Sequence, residues 1–197
     1  MNTNLQIISG KYRGRKLFLP NDARPTQNRA RIALFNMLDS IGVRPNVVWD
    51  AFAGSGAFGV EFLSRYDDVR VIFTDLSAES FKVINKNVSG MPGATVEMTD
   101  ALNAVKRHGP VADLVFIDPP YANHDLGQSL VRKLATTVKP GTIVVWESES
   151  GLDTKVSDTD WTVLRDKTYG RARFLILEKI LFGLPYPPYD CHCMAHT

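Results

Sequence analysis

Asp118-Pro119-Pro120-Tyr121 brings together residue types that could grip an amino group. The stretch follows residues 112–117, a largely apolar run that reads as a buried strand. Each proline fixes its own φ, removes a backbone N–H and pushes the residue before it towards an extended conformation. The strand therefore exits stiffly, and the Asp118 carboxylate and nearby carbonyls meet few competing donors. Such an acceptor-only patch suits a group with two N–H bonds, for example an exocyclic amine. Tyr121 adds a flat apolar face for a planar ring. The same four residues also fit a strand that simply ends in a proline turn, and alone they do not separate the two.

Three further groups carry chemistry. Asp50-Ala51-Phe52-Ala53-Gly54-Ser55-Gly56 is a glycine turn between an apolar strand and a helix. Gly54 and Gly56 let a ligand approach the backbone closely. The spacing is neither the dinucleotide fingerprint nor a phosphate loop, and a carboxylate before the turn suits a ligand bearing amines or a cation. Asp75, 25 residues past Asp50, can accept from two ribose hydroxyls or serve a helix N-terminus. Asp100-Ala101 can accept from an adenine amino group.

The elements that must position these groups alternate. Strands are expected at 47–49, 69–74, 95–98, 112–117 and 141–146, with helices at 57–66, 77–88, 101–108 and 126–138 between them. This rhythm predicts a doubly wound, mostly parallel sheet. Two more strands, 161–165 and 173–180, lack an intervening helix and read as an antiparallel terminal hairpin, seven strands in all. Ahead of the sheet, residues 5–20 suggest a small basic hairpin turning at Gly10 and Gly14, and Thr26 caps a helix over 27–41. The expected division is a basic appendage (1–45), a sheet domain (46–182) and an irregular tail (183–197).

The chain has 197 residues, 44% hydrophobic and 22% charged, the make-up of an ordinary globular domain. No apolar stretch is long enough for a membrane helix and the N-terminus lacks a secretory signal, so a cytoplasmic location is the default. The net charge of +2 conceals an asymmetry. Lys11, Arg13, Arg15, Lys16, Arg24, Arg29 and Arg31 face only Asp22 within residues 1–31. A basic arm on a mildly acidic body points to a polyanion, nucleic acid foremost. Tyr12 and Phe18 interleave aromatics that could stack on unpaired bases. Cys191 and Cys193, with His192 and His196, are too crowded for a structural zinc site, and no metal is expected.

Taken together, the glycine turn, Asp75, Asp100 and Asp118–Tyr121 fall at four successive strand ends. That order resembles class I S-adenosylmethionine-dependent methyltransferases acting on exocyclic amines, which have a Rossmann-like fold. The resemblance implies that Asp50, Phe52, Gly54, Gly56, Asp75, Asp100 and Ala101 bind S-adenosyl-L-methionine. It implies that Asp118 and the Pro119 carbonyl, stiffened by Pro120, hold the amine while Tyr121 stacks on its base. The segments 7–17, Arg24-Pro25-Thr26, 29–36, 54–65 and Glu147-Ser148-Glu149 narrow this further. They are similar to the RsmD family, bacterial 16S rRNA guanine-N2 methyltransferases. The likeness covers roughly residues 5–180 and implies RNA contacts from the seven cations of the arm, with small-subunit rRNA as partner and no obligate protein partner. Ile32 stands where that family usually has glutamate. An adenine-N6 methyltransferase and a catalytically silent RNA-binding factor remain as alternatives.

Overall fold

The computed structural model describes residues 5–21, 28–120, 124–152 and 154–181. Arg24, Thr26, Tyr121 and the tail with Cys191 and Cys193 lie outside them. The elements run α1 (Asn28–Ser40), β1 (Val47–Asp50), α2 (Ala57–Arg65), β2 (Arg70–Asp75), α3 (Ala78–Asn87), β3 (Ala94–Met98) and α4 (Ala101–His108). They continue with β4 (Leu114–Ile117), α5 (His124–Ala135), β5 (Ile143–Glu149), β6 (Trp161–Tyr169) and β7 (Ala172–Lys179). One seven-stranded sheet holds them in the order β3-β2-β1-β4-β5-β7-β6. The first five strands pair in parallel, and β7 pairs antiparallel with both β5 and β6. The chain reverses its direction of winding between β1 and β4, where such sheets open a crevice at the strands' carboxyl ends.

Strand residues divide alternately between two cores. Val48, Phe73, Phe116, Val145 and Phe174 pack with Leu34, Phe35, Phe58, Phe62 and Ile84, so α1, α2 and α3 cover one face. Trp49, Val115, Val144 and Trp146 pack with Val105, Leu130, Val131 and Leu134 of α4 and α5 on the other. Strands buried on both faces read as continuous apolar runs, which is why β1 and β4 are apolar up to their terminal acids.

Boundaries depart from the sequence pattern where side chains intercept the backbone. β4 begins at Leu114 because the Asp113 carboxylate accepts from the Asn46 and Val47 N–H groups, both at 2.9 Å. α5 stops at Ala135, and the Thr136 and Thr137 hydroxyls turn back to the Lys133 carbonyl.

The N-terminal segment is bolted to α2. Leu5, Ile7 and Leu17 are buried in the first core, and a bridge between Gln6 and Lys16 closes the basic loop. The Ile8 and Ser9 N–H groups both donate to the Glu61 carboxylate at 2.9 Å, and Tyr12 N donates to Ser64 Oγ at 3.0 Å. Gly10 sits at φ +84°, where a Cβ would lie 1.8 Å from the Ser64 carbonyl oxygen. Gly10→Ala should therefore lower stability by roughly 2 kcal/mol. Thermal unfolding would register the loss, and tryptic cleavage at Lys11, Arg13 and Arg15 should accelerate as the loop lifts from α2.

Candidate active site

A cavity of about 1210 Å³ opens at the carboxyl ends of the parallel strands. Asp50 of β1, Asp75 of β2, Asp100 beyond β3, Asp118 beyond β4 and Glu147 of β5 all line it. Phe58 and Phe116, stacked with ring centroids 3.7 Å apart, lie in the same wall.

The glycine turn is fixed by its neighbours. Trp49 Nε1 donates to Thr74 Oγ1, which donates in turn to the Ala51 carbonyl, each at 2.9 Å. Ala53 N donates to the Thr74 carbonyl. Gly56 takes φ +75° at the start of α2, a conformation that side-chain-bearing residues adopt at a cost. Gly54 N and Ser77 N donate to the two oxygens of Asp75, each at 2.8 Å. Asp75 therefore ties the turn to the start of α3, and each of its oxygens keeps a lone pair for a further donor. Asp100 caps α4 by accepting from Asn103 N at 3.0 Å. Phe52 and the buried Ala101 share the cavity wall with them.

Asp50 accepts from Gly59 N at 3.1 Å and is otherwise enclosed by protein. Burial pushes its carboxyl up to about 8, opposed by the Gly59 N–H and reinforced by Asp118 and Asp75. Burial also raises Asp118 to about 7. Glu147, 3% exposed, is pushed well above the usual carboxylate range by burial and then by the charge of Asp118. A cavity that crowds carboxyls in this way favours a ligand that brings positive charge and N–H or O–H donors.

The seven cations of the arm do not act alike. Arg31 corrects the expectation of a phosphate contact. It is 2% exposed, its Nη2 donates to the Gln6 carbonyl, and its Nε lies 3.9 Å from Glu61. It belongs to the buried side of α1, so its charge serves the interior. Lys11 pairs with Asp67 at 3.3 Å and Arg15 Nη2 donates to the Ser89 carbonyl. Arg13, Lys16 and Arg29 are exposed. Arg24 and Tyr121 lie outside the described residues, while Pro119 and Pro120 line the cavity beside Asp118.

Sequence motifs left several residues without a role. Glu147 belongs to a family-like stretch but otherwise reads as an acid near the end of an apolar strand, a signal that Asp50, Asp75 and Asp118 repeat. Asn87 donates to the Phe18 and Ser55 carbonyls and so joins the arm to the glycine turn, which no local pattern announces. Tyr169 and Arg171, at the tip of the β6–β7 hairpin, reach the cavity wall.

A family model described as Conserved hypothetical protein 95 matches residues 5–178. Over 182 residues the chain is 32% identical to ribosomal RNA small subunit methyltransferase D of Escherichia coli, covering 89% of this chain and 90% of that protein. A solved putative methyltransferase from Escherichia coli superposes with a TM-score of 0.77 at 29% identity, covering 89% of this chain and 97% of that one. At 16% identity, an RNA methyltransferase from Salinibacter ruber in complex with S-adenosyl-L-homocysteine shares the fold, with a TM-score of 0.61 over 83% of this chain and 98% of that one.

The raised carboxyls give the free protein a definite pH response. A carboxyl whose pKa is higher folded than unfolded holds a proton longer in the native state. Its contribution to stability is full below the unfolded value near 4 and is lost as pH climbs through the folded value. For Asp118 and Asp50 that window ends near pH 7 and 8. Asp118→Asn should raise stability at pH 8 by on the order of 1–3 kcal/mol and by distinctly less at pH 5, where the folded carboxyl is still protonated. Thermal melts of both proteins at the two pH values measure this.

Proposed function

The chain belongs to the family described as Conserved hypothetical protein 95, and on that premise we propose that it transfers a methyl group from S-adenosyl-L-methionine to the exocyclic N2 of a guanine in 16S rRNA. One observation carries the reading. Asp118, with Pro119 and Pro120, opens into the cavity that also holds Asp50, the glycine turn, Asp75 and Asp100. An amine grip and a nucleoside-binding set thus share one chamber. The name of the Escherichia coli relative supports small-subunit rRNA as the substrate class, and the arm motifs shared with guanine-N2 enzymes support the base. An rRNA substrate would place the reaction in the compartment that holds ribosomes. Among the described residues, no helix is long and apolar enough to cross a membrane.

The residues present fit the cofactor. Asp50 would sit near its amino group, Gly54 and Gly56 along its methionine part, Asp75 at the ribose hydroxyls, and Asp100 and Ala101 at the adenine. The cofactor's sulfonium supplies an electrophilic methyl group and makes strong acid catalysis unnecessary. The chain's own work is orientation. The Asp118 carboxylate and the Pro119 carbonyl accept the two N–H bonds of the amine, which turns its lone pair out of conjugation with the ring and towards the methyl group. An amine that gains a methyl group must release one N–H proton. Asp118, raised to about 7, is matched to receive it. The target base must leave its stack to reach this point, at a cost of a few kcal/mol.

The test uses methyl-labelled cofactor with naked rRNA, small subunits lacking the modification, and unmethylated DNA, followed by nucleoside identification by mass spectrometry. The expected product is N2-methylguanine. Label in N6-methyladenine would overturn the base assignment, and no label anywhere would favour a silent RNA-binding factor. Asp118→Ala should reduce transfer by about a hundredfold or more while cofactor affinity by calorimetry persists. Surviving activity in that variant would overturn the amine grip.

The exposed arm cations give a separate expectation. Arg13→Glu and Lys16→Glu should each weaken RNA binding and flatten its dependence on log salt by about one unit of slope per lost phosphate contact. Fluorescence anisotropy across a salt series measures this, and cofactor affinity should not change.

A further inference from the structure

Glu147 lines the cavity at β5 without capping a helix or taking a backbone donor from any described residue. Its position follows from strand register. Phe116 pairs with Val145 and Ile117 with Trp146 across β4 and β5. Phe116 and Val145 belong to the core under α1 and α2, while Ile117 and Trp146 belong to the opposite one. One residue further along come Asp118 and Glu147, which fall on the Phe116 face of the pleat, line the cavity together and lie close enough for the charge of Asp118 to act on Glu147. On its other side Glu147 is opposite the fully buried Phe174 of β7. The residue is 3% exposed and lines the cavity, and among the described residues no protein donor reaches its carboxyl. A buried acceptor without a donor is costly unless a ligand brings one.

Two adjacent acceptors match guanine and no other standard base that carries an exocyclic amine. Guanine presents N1–H directly beside its N2 amine. Adenine and cytosine present a bare ring nitrogen, itself an acceptor, beside theirs. We propose that Glu147 reads the base, accepting the N1–H of guanine while Asp118 holds the N2 amine, so that the pair admits guanine and rejects adenine. This inference rests on the methyl-transfer reading above and names the residue that sets its substrate. The raised affinity of both carboxyls for protons is compatible with the role. A proton shared by the pair is drawn to the charge of Asp118, and a protonated carboxyl still offers its carbonyl oxygen to the base.

2-Aminopurine separates this role from simple support, because it keeps the 2-amine but carries a bare N1. Small subunits are reconstituted with rRNA bearing either guanine or 2-aminopurine at the position the wild-type protein labels, and kcat/KM is measured on both. The wild type should prefer guanine by about a hundredfold or more, since a site built to receive an N–H rejects an analogue lacking it. Glu147→Ala should lose most of its activity on guanine and little on 2-aminopurine, so that the ratio falls at least about tenfold. Glu147→Gln, whose carbonyl can still accept, should recover part of the ratio. Calorimetric binding of S-adenosyl-L-homocysteine checks that each variant retains its fold. An unchanged ratio in Glu147→Ala, or equal loss on both bases, overturns the assignment while leaving methyl transfer intact. A wild-type product other than N2-methylguanine overturns the methyl-transfer reading and this inference with it.

Discussion

Carboxyl groups from five neighbouring parallel strands share one cavity, and the cost of burying them is the constraint around which the site is organised. The sheet brings them together because each strand ends in, or just before, an acid. The fold compensates only some of them. Asp50 receives the Gly59 N–H, Asp75 receives those of Gly54 and Ser77, and Asp100 receives that of Asn103. Asp75 and Asp100 also lie at the amino ends of α3 and α4, where the helix dipole favours negative charge. Asp118 and Glu147 have no such partner among the described residues. The division coincides with the proposed use: the acids fixed by backbone donors flank the cofactor, and the two left open face the base.

The second organising element is the joint between the N-terminal segment and α2. Glu61 is wholly buried and accepts from Ile8 N, Ser9 N and Arg65 Nε. Arg65 in turn lies over the Phe35 ring of α1. A charge so deeply placed is tolerable only because several donors converge on it, and the same convergence fixes the path of residues 5–17. Ile32 is 39% exposed on the outer side of α1. It takes no part in this joint.

The fold was readable from the alternation of apolar runs and capped helices, because a parallel sheet buried on both faces writes itself as β-branched strings separated by amphipathic segments. Gly54, Gly56, Asp75 and Asp100 could be placed at strand ends for the same reason. Glu147 could not be assigned a role, since its meaning depends on which strand lies beside β4, and register is not written locally. Arg31 was misread because a count of basic residues says nothing about which side of a helix each occupies. Only the packing of α1 showed that its guanidinium points inward. β6 runs on to Tyr169, past the apolar stretch that marks its start, because pairing with β7 and not burial sustains its second half.

The joint at Glu61 and Ser64 has a thermodynamic consequence for recognition. The loop carrying Arg13 and Lys16 is held in place by the protein's own interior, so its conformational entropy is surrendered when the chain folds and not on binding. A partner then meets a preformed template, and association is spared the ordering cost that a disordered basic tail would impose. The converse burden would fall on the RNA proposed as its partner. On the proposed RNA-binding reading, a template that cannot adapt would select among shapes that already present their phosphates at the right spacing, and the loop would act as a gauge of shape as much as an electrostatic anchor.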